Sequence, residues 1–200
     1  GINAEYGEGR TDLMLAAINN SDCSKFMDQI RTQNSQEGLK TALMYAAENN
    51  SLAAIEQLLP ELKMTTDFGS TALMYAAMAG NCEAAKHLLP EMHQVNKTHE
   101  TALVYAAYYD HAELCALLMD ECGVMNEFGE FAITYGVTMN HPKVVKTLFP
   151  GEGRLLTQNG KDLRQICDEW ELDPDLKSEE EREKQMKRHK EIADFLKQVW

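Results

Sequence analysis

The heptapeptide Thr71-Ala72-Leu73-Met74-Tyr75-Ala76-Ala77 recurs down the chain, and its recurrence limits the possible folds more than any other feature. It stands again at Thr41 to Ala47 and at Thr101 to Ala107, with weaker copies opening at Thr11 and Phe131, so that the first residues fall 30 apart each time. A fixed period of this size marks a repeat array, in which each unit buries its apolar face only by stacking on its neighbours. Within a copy, the Leu and the Ala-Ala pair share one helical face, and the opening Thr can cap the helix by accepting an orphan backbone N–H. Leu58-Leu59, Leu88-Leu89, Leu117-Leu118 and Leu148-Phe149 give each unit a second apolar run. Pro60, Pro90 and Pro150 follow it, and any helix there is predicted to stop at them. Asn50, Gly80, Asp110 and Asn140 follow the first helix, at positions that favour the left-handed conformation which ends one.

The stretch Ile2-Asn3-Ala4-Glu5-Tyr6-Gly7-Glu8-Gly9-Arg10-Thr11-Asp12-Leu13 resembles the ankyrin pattern V-N-A-x-x-x-x-G-x-T-P-L-H. The likeness continues through Phe68-Gly69-Ser70-Thr71-Ala72-Leu73 and into Ala84-Ala85-Lys86-His87-Leu88-Leu89. Short, Met-containing repeats of this kind look like the ankyrin arrays abundant in parasitic protists, some of which are fused to NIMA-related kinase domains. The resemblance implies an all-α solenoid of helix–turn–helix units with short hairpin-like fingers. We expect one domain over 1–200, with repeats at 1–38, 39–68, 69–98, 99–128 and 129–158, and a capping repeat at 159–200 whose charged helix covers 179–199. Met14, Met44, Met74, Val104 and Thr134 replace the family's His, which predicts loss of its polar network. Between Ser21 and Lys40 the first repeat is irregular, and the polar run Arg31 to Gln36 is expected to form a flexible loop. Ile2-Asn3-Ala4 looks like the tail of an earlier finger, so a longer parent with an upstream repeat is expected.

Near the C-terminus, Ser178-x-x-Glu181 is a capping box that opens the charged helix. Its pairs Glu180–Lys184 and Glu183–Lys187 sit at helical i,i+4 spacing. Met186, Ile192, Leu196 and Val199 make an apolar stripe expected to pack on the fifth repeat. The competing use of that stripe is as a partner helix for self-association.

A formal charge of −13 argues against nucleic acid, whose phosphates must be neutralised by clustered Lys and Arg, and disfavours an anionic membrane. It leaves protein partners with basic patches. The five cysteines form no C-x-x-C pair and no zinc spacing, and are expected as free buried thiols in the cytoplasm. The six histidines show no H-E-x-x-H, and there is no G-x-S-x-G, P-loop or G-x-G-x-x-G. No catalytic residue, metal or cofactor is therefore assigned.

Candidate contact residues come from repeat position. Tyr45, Tyr75, Tyr105 and Tyr135 share one register, as aromatics with a polar tip that suit either packing or partner contact. The family resemblance implies that the two residues after Ala-Ala face the concave groove; in the middle and later repeats these supply Met78, Tyr108, Tyr109 and Met139. Ser70, Glu100 and Glu130 fall at the finger base and are assigned to a polar rim. The expected function is non-catalytic: a monomer that binds a protein or peptide through groove and fingers. The alternatives are a scaffold self-associating through the C-terminal helix, and a regulatory or targeting part of a larger enzyme such as a kinase.

Overall fold

A computed structural model describes residues 9–176 and 178–200. Ile2-Asn3-Ala4, read above as the tail of a finger, lies outside the described residues. The chain falls into two compact units, residues 1–97 and 98–200. Among the described residues all regular structure is helical, apart from one isolated bridge between Asn34 and Lys40.

The first unit holds α1 (Asp12–Ile18), α2 (Ala42–Glu48), α3 (Leu52–Leu58), α4 (Ala72–Ala79) and α5 (Cys82–His87). Helices of six to eight residues are too short to persist alone in water, so packing must hold them. Ala46, Ala47, Ala76 and Ala77 are fully buried, and their small side chains let α2 lie against α4. The Thr11, Thr41 and Thr71 hydroxyls accept the N–H of Met14, Met44 and Met74. In return the N–H of Thr11 and Thr41 points at the Met Sδ, 3.5 and 3.4 Å away. Met in the family's His position thus closes the cap with its own soft acceptor.

Where the family's His network is absent, a buried glutamate in each repeat after the first supplies another polar network. Glu61 and Glu91 end the 3₁₀ turns Leu59–Glu61 and Leu89–Glu91, and both are 1% exposed. One oxygen of Glu61 accepts the N–H of Leu43 and the other that of Arg31, each at 2.8 Å. Glu91 does the same for Leu73 and Lys63, each at 2.8 Å. Leu43 and Leu73 carry helix N-terminal donors with no intrahelical partner, beside those the Thr caps satisfy. Arg31 and Lys63 sit at φ +65° and +67°, a left-handed conformation disfavoured for such residues and held here by the glutamate bond. In the irregular first repeat, Gln29 Oε1 takes the glutamate's place and accepts from Leu13 N at 3.0 Å.

That first repeat is also better ordered than the expected flexible loop. Asn34 is fully buried, donates its side-chain N–H to Tyr45 Oη at 2.9 Å, and gives its backbone N–H to Lys40 O at 2.8 Å. Gln33 Nε2 donates to the carbonyls of Leu39 and Thr65. The fingers are joined edge to edge: Asp67 N–H bonds Gly38 O, and Lys97 N–H bonds Phe68 O.

The second unit holds α6 (Ala102–Tyr108), α7 (Ala112–Leu117), α8 (Ala132–Thr138), α9 (Pro142–Glu152), α10 (Leu163–Asp168) and α11 (Glu179–Val199). Its buried glutamates are Glu121, which accepts from Leu103 N at 2.8 Å, and Glu152, which accepts from Ile133 N at 2.7 Å and Gly123 N at 2.9 Å. α9 runs through Pro150 to Glu152, so this proline does not stop its helix as predicted. By contrast, α3 and α5 do end before Pro60 and Pro90. The left-handed residues predicted to follow the first helices are found as such, with φ +54° at Asn50, +75° at Gly80, +65° at Asp110 and +62° at Asn140. Gly129, at φ +78°, carries the finger bond to Gln158 N–H, and a Cβ there would collide with the Gln158 side chain.

Ser178 caps α11 by accepting from Glu181 N. Ile192 and Leu196 are buried where α11 meets α9 and α10, whereas Met186 is 59% exposed and leaves the expected stripe. Asn140 Nδ2 donates to Gln185 O at 2.7 Å, and Trp200 lies under the guanidinium of Arg164 at 4.4 Å, so α11 is fastened at both ends.

The glutamates yield two expected outcomes. Glu91→Ala leaves the buried Leu73 N–H unpaired and frees that of Lys63, and should cost about 2–3 kcal/mol in urea unfolding, against about 1 kcal/mol for Thr71→Ala at the cap. Burial pushes the carboxyls of Glu61, Glu91 and Glu152 up, outweighing the N–H bonds they accept. Each holds its proton more tightly when folded. The stability so gained is fully present below the ordinary carboxyl value and is lost as pH rises through the raised one. These groups should therefore raise the thermal midpoint as pH falls toward the ordinary carboxyl value of 4.5, and Glu91→Gln, which cannot ionise, should flatten that slope.

Candidate functional site

Tyr108 closes α6 and Tyr109 follows it; Thr138 closes α8 and Met139 follows it. The Ala106-Ala107 pair turns inward, so the next residues are left standing at the helix ends. Tyr108, Tyr109 and Met139 are 39%, 49% and 39% exposed. The segment between α10 and α11 faces them, and together they bound a cleft of about 500 Å³ that also takes in His141, Trp170 and Asp173. Trp170 is held by stacking on the His189 ring, with centroids 4.3 Å apart. In the sequence, residues 170–176 are a Trp followed by a polar stretch with Asp173-Pro174, and that Trp is the available signal.

His141 anchors the cleft floor, with Nε2 3.0 Å from the Tyr108 carbonyl. Burial pushes its pKa down, opposed in part by the Asp110 carboxylate 3.6 Å from Nδ1.

Next to the cleft lies a smaller recess of about 250 Å³, walled by Tyr105, Tyr108, Tyr109, Tyr135, Val104 and Glu100. The Tyr108 ring meets Tyr109 and Tyr135 edge-on, at 5.0 and 5.8 Å between centroids. Tyr105 Oη donates to Glu100 Oε2 at 3.0 Å and Thr98 Oγ1 donates to the same oxygen at 2.8 Å. Asn126 Nδ2 donates to Tyr135 Oη at 2.8 Å. Burial, then the charges of Glu130 and Glu100, push the Tyr135 hydroxyl far up, a sign that the recess sits in a negative field.

In the first unit the same register is filled differently. Tyr45 is 1% exposed, so this candidate contact residue is a packing residue instead. Lys40 Nζ lies 4.7 Å from the centre of the Tyr45 ring and 4.3 Å from that of Tyr75, and pairs with Glu48 at 2.6 Å. Burial, helped by the Glu48 charge, pushes the Tyr75 hydroxyl up to about 12. Ser70, assigned to the rim, is buried with its N–H on Thr66 Oγ1, which removes it from any surface. Met78 and Tyr75 are half-buried.

The family description "Ankyrin repeats (3 copies)" matches residues 13–98 and again residues 73–159. The chain belongs to the ankyrin-repeat family. Among curated proteins no match is found. The ankyrin framework accounts for the helix pairs and fingers, while the paired-donor glutamates went unnoticed in the sequence. Their signal was a Glu at 61, 91 and 121, at the array's own period, hidden among the other acidic residues. All five cysteines are free, and burial pushes the Cys115 thiol up to about 12, away from nucleophilic use. Among the described residues no group of three His, Cys, Asp or Glu gathers as a metal would require, and no helix is long and apolar enough to cross a membrane.

The Lys40 arrangement predicts that Lys40→Met, which keeps the stem but removes the charge, lowers stability by about 1–2 kcal/mol in urea unfolding. A loss below the error of the measurement would show that the two ring contacts contribute nothing.

Proposed function

We propose that this chain is a non-catalytic interaction module that binds a protein or peptide on its inner-helix face, with the cleft at Tyr108, Tyr109 and Met139 as the principal site. Ankyrin repeats are in general protein–protein interaction modules, typically without catalytic activity. The observation that carries the reading is the exposure of these large apolar side chains around a cleft of about 500 Å³, since clustered aromatics with polar tips are the usual anchors of interfaces. Short helices fastened by buried hydrogen bonds make the surface preordered, which lowers the entropy cost of binding. Met139 and the tyrosines supply apolar anchors, and Glu100 and Glu130 the polar rim. The net charge of −13 favours a partner with a basic patch over nucleic acid.

The chain is proposed to be a monomer in the cytoplasm. The free thiols support a reducing compartment. Ile192 and Leu196 are already buried within the second unit, which takes from α11 the apolar stripe that self-association would use.

A capture experiment from lysate, with Tyr108→Ala/Tyr109→Ala as control, tests the assignment. The double variant, with unchanged circular dichroism, should bind the captured partner at least ten-fold more weakly. Equal binding by both proteins would remove the cleft from consideration.

A further inference from the structure

The two units use one tyrosine register in opposite ways. In the first, Tyr45 and Tyr75 hold the ammonium of Lys40 between their rings, at 4.7 and 4.3 Å from the centroids, with the Glu48 carboxylate 2.6 Å from it. Sixty residues on, the corresponding positions are Glu100, Tyr105 and Tyr135. The carboxylate now belongs to the residue where the lysine stood, and Tyr108 occupies the position of Glu48. What was a closed, internally occupied site is here an open recess of about 250 Å³, and no lysine or arginine is among the described residues that line it. The neighbouring cleft adds Glu171 and Asp173, again acidic. Arg188, on α11, is directed to Asp110, with 3.8 Å between the charged atoms.

Electron-rich ring faces around a carboxylate attract a cation and gain nothing from an anion. The first unit shows which cation this register accommodates. We propose that the Tyr105–Tyr135 recess receives the ammonium of a lysine side chain presented by a peptide segment of the partner, with Glu100 as its counter-charge. This rests on the inner-helix face being the binding face, and it names the chemistry that face selects. Tyr108 and Tyr109 flank the lysine stem, and the adjoining cleft takes the peptide on one side of it.

The test uses the whole chain labelled with ¹³C in its tyrosine rings. Two acetylated, amidated probes are titrated in: Gly-Ala-Lys-Ala-Gly, and the same peptide with the neutral isostere norleucine in place of lysine. The lysine peptide is expected to shift the Tyr105 and Tyr135 ring signals at concentrations about three- to thirty-fold lower than the norleucine peptide requires. Raising the salt concentration should narrow that gap. Glu100→Lys, which sets an ammonium where the first unit has one, should abolish the response. If that variant loses its circular dichroism, Tyr135→Leu replaces it with the same expectation. Equal response to both peptides would overturn the lysine assignment while leaving partner binding at the cleft intact. No response to either, or a response that survives Glu100→Lys, would also overturn it. Failure of the broader reading would show separately, as a captured partner indifferent to Tyr108→Ala/Tyr109→Ala.

Discussion

Each regular unit of this array carries a carboxylate into its interior, and the short helices depend on it. In Glu61, Glu91 and Glu152 both oxygens accept backbone N–H groups, one from the start of the repeat's own inner helix and one from the turn of the repeat before. A helix of seven residues has nearly as many orphan donors as internal bonds, so its N-terminus is a large share of its energetics. An unpaired buried donor costs about 1–3 kcal/mol, more than a surface ion pair contributes. The carboxylate resolves two such donors at once, ties consecutive repeats, and favours the left-handed conformation at Arg31 and Lys63. Thr caps and Met sulfurs then finish what is left of the helix start.

With the backbone so fastened, the ends of the inner helices are available to vary. Residues just past each Ala-Ala pair bear little of the packing, and there the chain places Tyr108, Tyr109 and Met139. The register below them must fill space between repeats, and it does so with tyrosines whose environment depends on one neighbour. Lysine at position 40 closes the site in the first unit; glutamate at position 100 gives a negatively charged recess in the second. The residue before the cap thus differs in charge between the units, and a buried ammonium such as that of Lys40 must be matched by rings and a carboxylate or remain in water.

The C-terminal helix shows the same economy. Its buried line is Ile192 and Leu196, with Phe195 edge-on to Phe149 at 5.3 Å and the arginines of neighbouring segments over Trp200. Sequence spacing had put Met186 on that line, but the line ends before it, since near its start α11 is held by polar bonds such as Asn140 to Gln185. Trp170, stacked on His189 of α11, lines one cleft with Thr138 and Met139 at the end of α8, in what the sequence shows only as an irregular stretch.

The 30-residue period determined a repeat array with its capped first helices and their left-handed stops, because each follows from spacing within one unit. The ankyrin resemblance read in the same sequence added the all-α helix pairs and the placement of Tyr108, Tyr109 and Met139 at the surface. Tertiary structure decided the rest. Burial of Tyr45 and Ser70, the order of the first finger and the double use of each glutamate arise from groups about thirty residues apart meeting in space, and a local pattern carries no record of such meetings. Burial of Tyr45 likewise comes from Arg10, Asn34 and Lys40 meeting its side chain, not from the tyrosine itself.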